Sequence, residues 1–241
     1  MGIGIFLLSM LPVVALLLYV YECDSYKPEP WSVIVRGLFY GAASVLLTWV
    51  FLCLIEMLGL DFDEQPTVMG QFIGSFVSAA IPEELSKLIM LLLLMRKNPY
   101  FDEHIDGIVY AASVGLGFAA VENLAYVAMD DDWVSTALMR AVTAVPGHFL
   151  DAVAMGYFYS LYRFDVDGKK TRWMWLMILV PILFHGIYDA LLFVSDVTGE
   201  LMSCVLILLF LFWMNRMRKF AKTKIAELKE KDKSDLNGGV A

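Results

Sequence analysis

WMWLMILVPILFHGIYDALLFVS, residues 173–195, is an apolar run broken by one histidine and one aspartate, His185 and Asp189. At about 1.5 Å of rise per helical residue it is long enough to cross a hydrocarbon core roughly 30 Å thick. Its apolar residues show no period-two alternation, so it does not read as a barrel strand; a chain in lipid must then satisfy its backbone groups within a helix. Six further stretches read the same way, at about 3–20, 32–58, 68–95, 106–129, 133–162 and 199–220. Hydrophobic residues make up 59% of the 241 residues and mean hydropathy is +0.67, well above an ordinary soluble domain. The expected fold class is therefore all-α: a polytopic membrane protein of about seven transmembrane helices, with the lipid bilayer as its main partner. The first stretch lacks a basic start and a small-residue cleavage pattern, so it reads as a mature span rather than a signal peptide.

The connections 21–36, 96–106 and 163–172, with the tail from Arg216, hold 16 of the 18 lysines and arginines. The alternate connections carry Asp61, Asp63, Glu64, Asp130, Asp131, Asp132, Asp196 and Glu200 and no basic residue. Basic loops remain cytoplasmic, so the expected N-terminus is extracytoplasmic and the C-terminus cytoplasmic. The formal charge of -8 reflects those acidic loops, and no basic face for nucleic acid is visible. Cys23, Cys53 and Cys204 form neither a C-x-x-C pair nor an even framework. No linker separates domains, so one transmembrane domain is expected over 1–220, followed by a charged, solvated cytoplasmic tail over 221–241 whose end, through Asn237-Gly238-Gly239, reads as disordered. Ala111, Gly115 and Ala119 form a small-residue stripe suited to close helix packing.

Ionisable groups inside apolar spans cost several kcal/mol unless paired, and usually mark function. Here they recur in four consecutive spans: IPEELSK (81–87), FAAVEN (118–123), VPGHFLD (145–151) and FHGIYD (184–189), with Arg140 as a further basic intruder. Helical rise places Glu83 and His148 about 22 Å from the outer ends of their spans, His185 about 15 Å and Glu122 about 10 Å, depths that allow one shared site. Lys87 lies four residues from Glu83 and three from Glu84, so its ammonium can neutralise one carboxylate and leave the other to accept a proton or contact a metal. Asp189 lies one turn from His185 and can orient the imidazole. Pro146-Gly147 predicts a bent or broken helix that frees backbone amides beside His148, as an oxyanion site requires. His104, in the connection before the fourth span, reads as a solvated loop residue. Each feature alone is as often a satisfied packing pair as a functional group; together they read as one site.

Three intramembrane chemistries lack their motifs: there is no H-E-x-x-H, no G-x-S-x-G and no paired E-x-x-H. Carboxylate with imidazole remains. That set can bind a divalent metal such as zinc through N and O ligands, or activate water without one. It can also serve a proton- or cation-coupled transporter or sensor, although paired broken spans and inverted repeats are not evident.

EELSK (83–87) resembles the EExxK motif of the PrsW family of intramembrane proteases, and FAAVEN (118–123) its FxxxEN motif. Pro146-Gly147-His148 and HGIYD (185–189) are similar to its two histidine motifs. All four occur in order over roughly residues 70–195. The resemblance implies an endopeptidase related to the CAAX prenyl proteases, acting on a membrane-anchored protein substrate such as an anti-sigma factor near the extracytoplasmic side. It also implies that Glu83 is the general base, that Glu122, His148 and His185 line the water or metal, and that Glu84 and Asp189 support them, with Lys87 and Asn123 alongside. Whether zinc is held is left open by the sequence.

Overall fold

The computed structural model describes residues 2–24, 26–60, 67–96 and 98–238. Asp61, Asp63, Glu64 and Gly239 lie outside the described residues. The described chain is helical, without strands among the described residues: α1 (Gly2–Cys23), α2 (Trp31–Met57), α3 (Val68–Gly74), a π-helical stretch Ser75–Ala80, α4 (Ile81–Met95), α5 (Asp106–Met129), α6 (Trp133–Val142), α7 (Ala144–Arg163), α8 (Lys170–Asp196) and α9 (Glu200–Gly238). Five of these, α1, α2, α5, α8 and α9, are long and apolar enough to cross a membrane. The other two apolar stretches of the sequence are helical as well, but each is divided.

The divisions have local causes. Pro82 has no N–H to return to the preceding turn, and the chain widens into the π-helical stretch just before it, with Ile81 donating to the Phe76 carbonyl. π-turns of this kind recur at functional sites. The fifth stretch breaks at Thr143 (φ -119, ψ -77), not at Pro146-Gly147 as expected. Pro146 sits in the first turn of α7, where a missing N–H costs nothing, and the Gly147 amide is already bonded to the Thr143 carbonyl at 2.9 Å. It is therefore not free to serve as an oxyanion donor.

α5 is the central helix, buried along most of its length against α1, α2 and α7. Its small residues allow this: a Cβ on Gly115 would lie 2.6 Å from that of Ala152 on α7, so the two backbones meet where side chains are absent. α8 approaches the π-helical stretch equally closely, with Gly186 against the Phe76 ring.

The chain beyond residue 220 is not a separate solvated tail. α9 continues unbroken through Asn237 to Gly238, and Met217, Ala221, Ile225 and Leu228 form a buried stripe at helical spacing that joins the core. Asp232, fully buried, accepts backbone N–H bonds from His104 (2.6 Å) and Ile105 (2.9 Å) at the start of α5. His104 is correspondingly not a free loop residue: its Nδ1 lies 2.9 Å from Asp232, and its ring stacks on Phe164 at 4.3 Å between centroids.

Candidate active site

The four polar segments converge between α4, α5, α7 and α8. Lys87 is their hub. From α4 its Nζ reaches Glu84 Oε1 at 2.7 Å, Glu83 Oε2 at 3.2 Å and, across to α7, His148 Nδ1 at 3.0 Å. Below the ammonium lies the Phe118 ring of α5, 4.0 Å away at its centroid, which returns by cation–π attraction part of the hydration that the lysine loses. The aromatic residue that begins FAAVEN thus seats Lys87, and it also meets His148 edge to face at 5.3 Å.

The two neighbouring glutamates are held differently. Glu84 is buried, and its Oε1 faces both Lys87 and His185 Nδ1 (2.8 Å), while its Oε2 has no partner among the described residues. Glu83 is more open and lines a cavity of about 260 Å³ shared with Glu122, Tyr126, Arg140, His148 and Asp189. His185, on α8, is oriented by Asp189 Oδ2, 3.1 Å from its Nε2, with Glu83 at 3.9 Å. The two imidazole rings meet edge to face at 5.3 Å.

Glu122, on the wall of the same cavity as His148 and His185, is held from two sides. Its Oε2 is shared between His148 Nε2 (2.8 Å) and Arg140 (2.5 Å). Arg140 Nε also donates to Asn123 Oδ1 at 2.9 Å, and Asn123 in turn donates to the Ser9 carbonyl of α1. Asn123 therefore supports the site by holding Arg140, not by facing the histidines. Arg140 was visible in the sequence only as an intruding charge, without a partner. Asp151, one turn after His148, approaches His185 at 3.9 Å and keeps an unpartnered buried oxygen; its HxxD spacing was the available signal.

Within this site, Glu83, Glu84, His148 and His185 bring ligand atoms that all lie within 4.8 Å of one another. Two carboxylates with two imidazoles suit a zinc-like ion, and the orphaned Glu84 oxygen is consistent with a cation, so the residues fit a metal. Glu122, expected as a ligand, is not in that group. The Lys87 ammonium already stands among these donors, so a metal would compete with it for the same lone pairs.

Comparison with known proteins identifies the family. Residues 29–215 match the family model described as PrsW family intramembrane metalloprotease. The chain is 34% identical over 213 residues to Protease PrsW of Bacillus subtilis, covering 88% of this chain and 92% of that protein. It is 35% identical to Protease PrsW of Geobacillus kaustophilus, covering 88% and 89%, and 30% identical to Protease PrsW of Clostridioides difficile, covering 81% and 82%. No solved structure matches the chain significantly. With a glutamate–histidine cluster on all four of the resembling motifs and relatives aligned over most of its length, the chain belongs to the PrsW family of intramembrane proteases and is a peptidase.

Proposed function

We propose that this protease hydrolyses a peptide bond of a membrane-anchored protein, such as an anti-sigma factor, near the extracytoplasmic side, with Glu83 as the general base. The observation that carries this reading is the asymmetry of the glutamate pair. Glu84 is doubly held and turned from the cavity, whereas Glu83 lines it and keeps capacity to accept a proton. A base must reach the water it deprotonates, so access decides between them. Lys87 holds Glu84 in place, Asp189 orients His185, and Arg140 presents a guanidinium at the cavity wall where negative charge would develop on the scissile carbonyl oxygen.

Glu84, His148 and His185 would hold the metal that the family description names, with Glu83 beside them. When bound, such an ion supplies carbonyl polarisation and activation of water. The topology read from the loop charges, seven crossings with the basic connections inside, is supported by contacts among those connections: Lys27 meets Asp102 at 3.0 Å and His104 meets Asp232 at 2.9 Å. They gather at one end of the bundle.

The test is cleavage of a single-span substrate in reconstituted membranes, with proton flux measured in parallel. Glu83→Gln keeps the shape but removes the base, so cleavage is expected to fall by at least about a hundredfold with folding retained. Chelation should abolish activity and zinc should restore it. Full activity in Glu83→Gln would refute the assignment of the base.

A further inference from the structure

At the end of the bundle that holds the basic connections, away from the cavity, three more carboxylates meet. Asp24 follows α1, Glu29 precedes α2 and Asp106 opens α5; they are 2%, 2% and 0% exposed, and their oxygens come within 4.8 Å of one another. Each aspartate has one oxygen satisfied by backbone. Asp24 Oδ2 accepts from Glu29 N at 2.9 Å, and Asp106 Oδ2 accepts from Asp102 N (2.9 Å) and Glu103 N (2.7 Å). The other oxygen of each, Asp24 Oδ1 and Asp106 Oδ1, is buried without a partner among the described residues. Tyr110, one turn along α5, donates its hydroxyl to Glu29.

Buried carboxylates are retained when paired with a cation or a proton. Lys27 turns its ammonium to exposed Asp102, and Lys229 of α9 acts on Asp24 through its field, while Asp102 and Asp232 oppose it. Two orphaned oxygens in a converging set of three carboxylates form the hard, all-oxygen environment that magnesium and calcium take.

We propose that Asp24, Glu29 and Asp106 bind a hard divalent cation, magnesium or calcium, that ties the α1–α2 connection to the start of α5. This site is separate from the glutamate–histidine group and differs from it in chemistry, having no nitrogen donor. α5 carries Glu122 and Asn123 about 24 Å further along, so the ion would brace the helix on which Glu122 is mounted.

The experiment uses the full chain, purified in detergent and stripped with chelator, with terbium as probe, because Tyr110 on Glu29 is placed to sensitise its luminescence. A saturable signal is expected, displaced by calcium or magnesium, whichever is the native ion displacing it at the lower concentration. Asp24→Asn and Glu29→Gln should each weaken terbium binding about tenfold or more; His185→Ala, in the Glu83–Glu84–His148–His185 group, and Asp235→Asn, in a third group where His104, Asp232 and Asp235 bring possible ligand atoms together, should leave it unchanged. Should Asp106→Asn not fold, the two loop variants carry the test, together with the rise in wild-type melting temperature on adding calcium or magnesium. Absence of a saturable signal, its survival in both loop variants, or its loss in His185→Ala alone would overturn the site; in the first case protons alone balance the cluster.

Discussion

His148 can donate from one ring nitrogen and accept at the other when neutral, and its two neighbours require opposite things of it. Lys87 can only donate, so Nδ1, 3.0 Å away, must offer its lone pair; Glu122 accepts, so Nε2, 2.8 Å away, must carry the proton. The tautomer is thereby set by residues from two other helices. His185 has carboxylates at both nitrogens, Glu84 at 2.8 Å and Asp189 at 3.1 Å, so each nitrogen needs a proton or a metal between it and its neighbour. Arg140 completes this layer by holding Glu122 and Asn123 with different arms of one planar fork. A lysine keeps the charge but cannot span both. Arg140→Lys is therefore expected to lower kcat by about ten- to a hundredfold through misplacement of Glu122, with little change in melting temperature. An unchanged kcat would reduce Arg140 to a counter-ion.

At the scale of elements, α8 has to bring His185 beside Glu84, and it does so by meeting the π-helical stretch at Gly186. A Cβ there would overlap the Phe76 ring, inside any tolerable contact. Gly186→Ala should force α8 outward and lengthen the His185–Glu84 contact. The expected result is loss of cleavage together with a lower melting temperature, since overpacking typically costs about 1–3 kcal/mol. Phe76→Leu in the same chain should restore part of both. If the second substitution restores nothing, the glycine is required for a reason other than clearance.

The whole molecule is closed by its last helix. Asp232 of α9 reaches back to the amides of His104 and Ile105, placing a carboxylate at the positive end of α5. Asp232→Ala leaves two amide donors without their acceptor and should cost about 2 kcal/mol, visible as a lower melting temperature and greater protease sensitivity at residues 98–106. His104→Ala should lose stability through the same contact while leaving the chemistry of the intact fold in place. A chain ended at residue 220 that melts like the full-length chain would contradict this role for α9.

The acidic cluster beside that closure sets a pH dependence. Burial is the main cause that pushes Asp24 up to about 6 from 3.8 and Glu29 up to about 7 from 4.5; Tyr110, Asp106 and the Glu29 amide pull the other way, and Asp102 and Asp232 add to the rise. An acid whose pKa is higher folded than unfolded binds more protons in the folded state, so its contribution to stability is full below about 4 and is lost as pH rises through about 7. Chelated protein should accordingly melt at progressively lower temperature between about pH 4 and pH 7, and Glu29→Gln should flatten that slope. A melting temperature that rises across this window would show that other groups dominate.

The all-helical, membrane-crossing class was legible in the sequence because lipid leaves a spanning backbone few choices, and apolar length is a one-dimensional property. The identity of the polar cluster was legible for a related reason: groups such as Glu83, Glu84, Lys87, His148 and His185 stand out against apolar surroundings, and spacing within one helix reports which of them share a face. Contacts between helices depend on how each is rotated and how closely it approaches its neighbour, which spacing does not encode. Only the tertiary structure decided that Glu84 is enclosed while Glu83 faces the cavity, that Glu122 is taken by Arg140 and His148 rather than joining the metal-type group, and that the break falls at Thr143. The tail shows the limit most directly. Its charges read as solvated, yet one face is an apolar stripe on the core, and Asp232 finds its partners 127 and 128 residues earlier in the chain, because the open amides that begin a helix accept a carboxylate from wherever the fold supplies one.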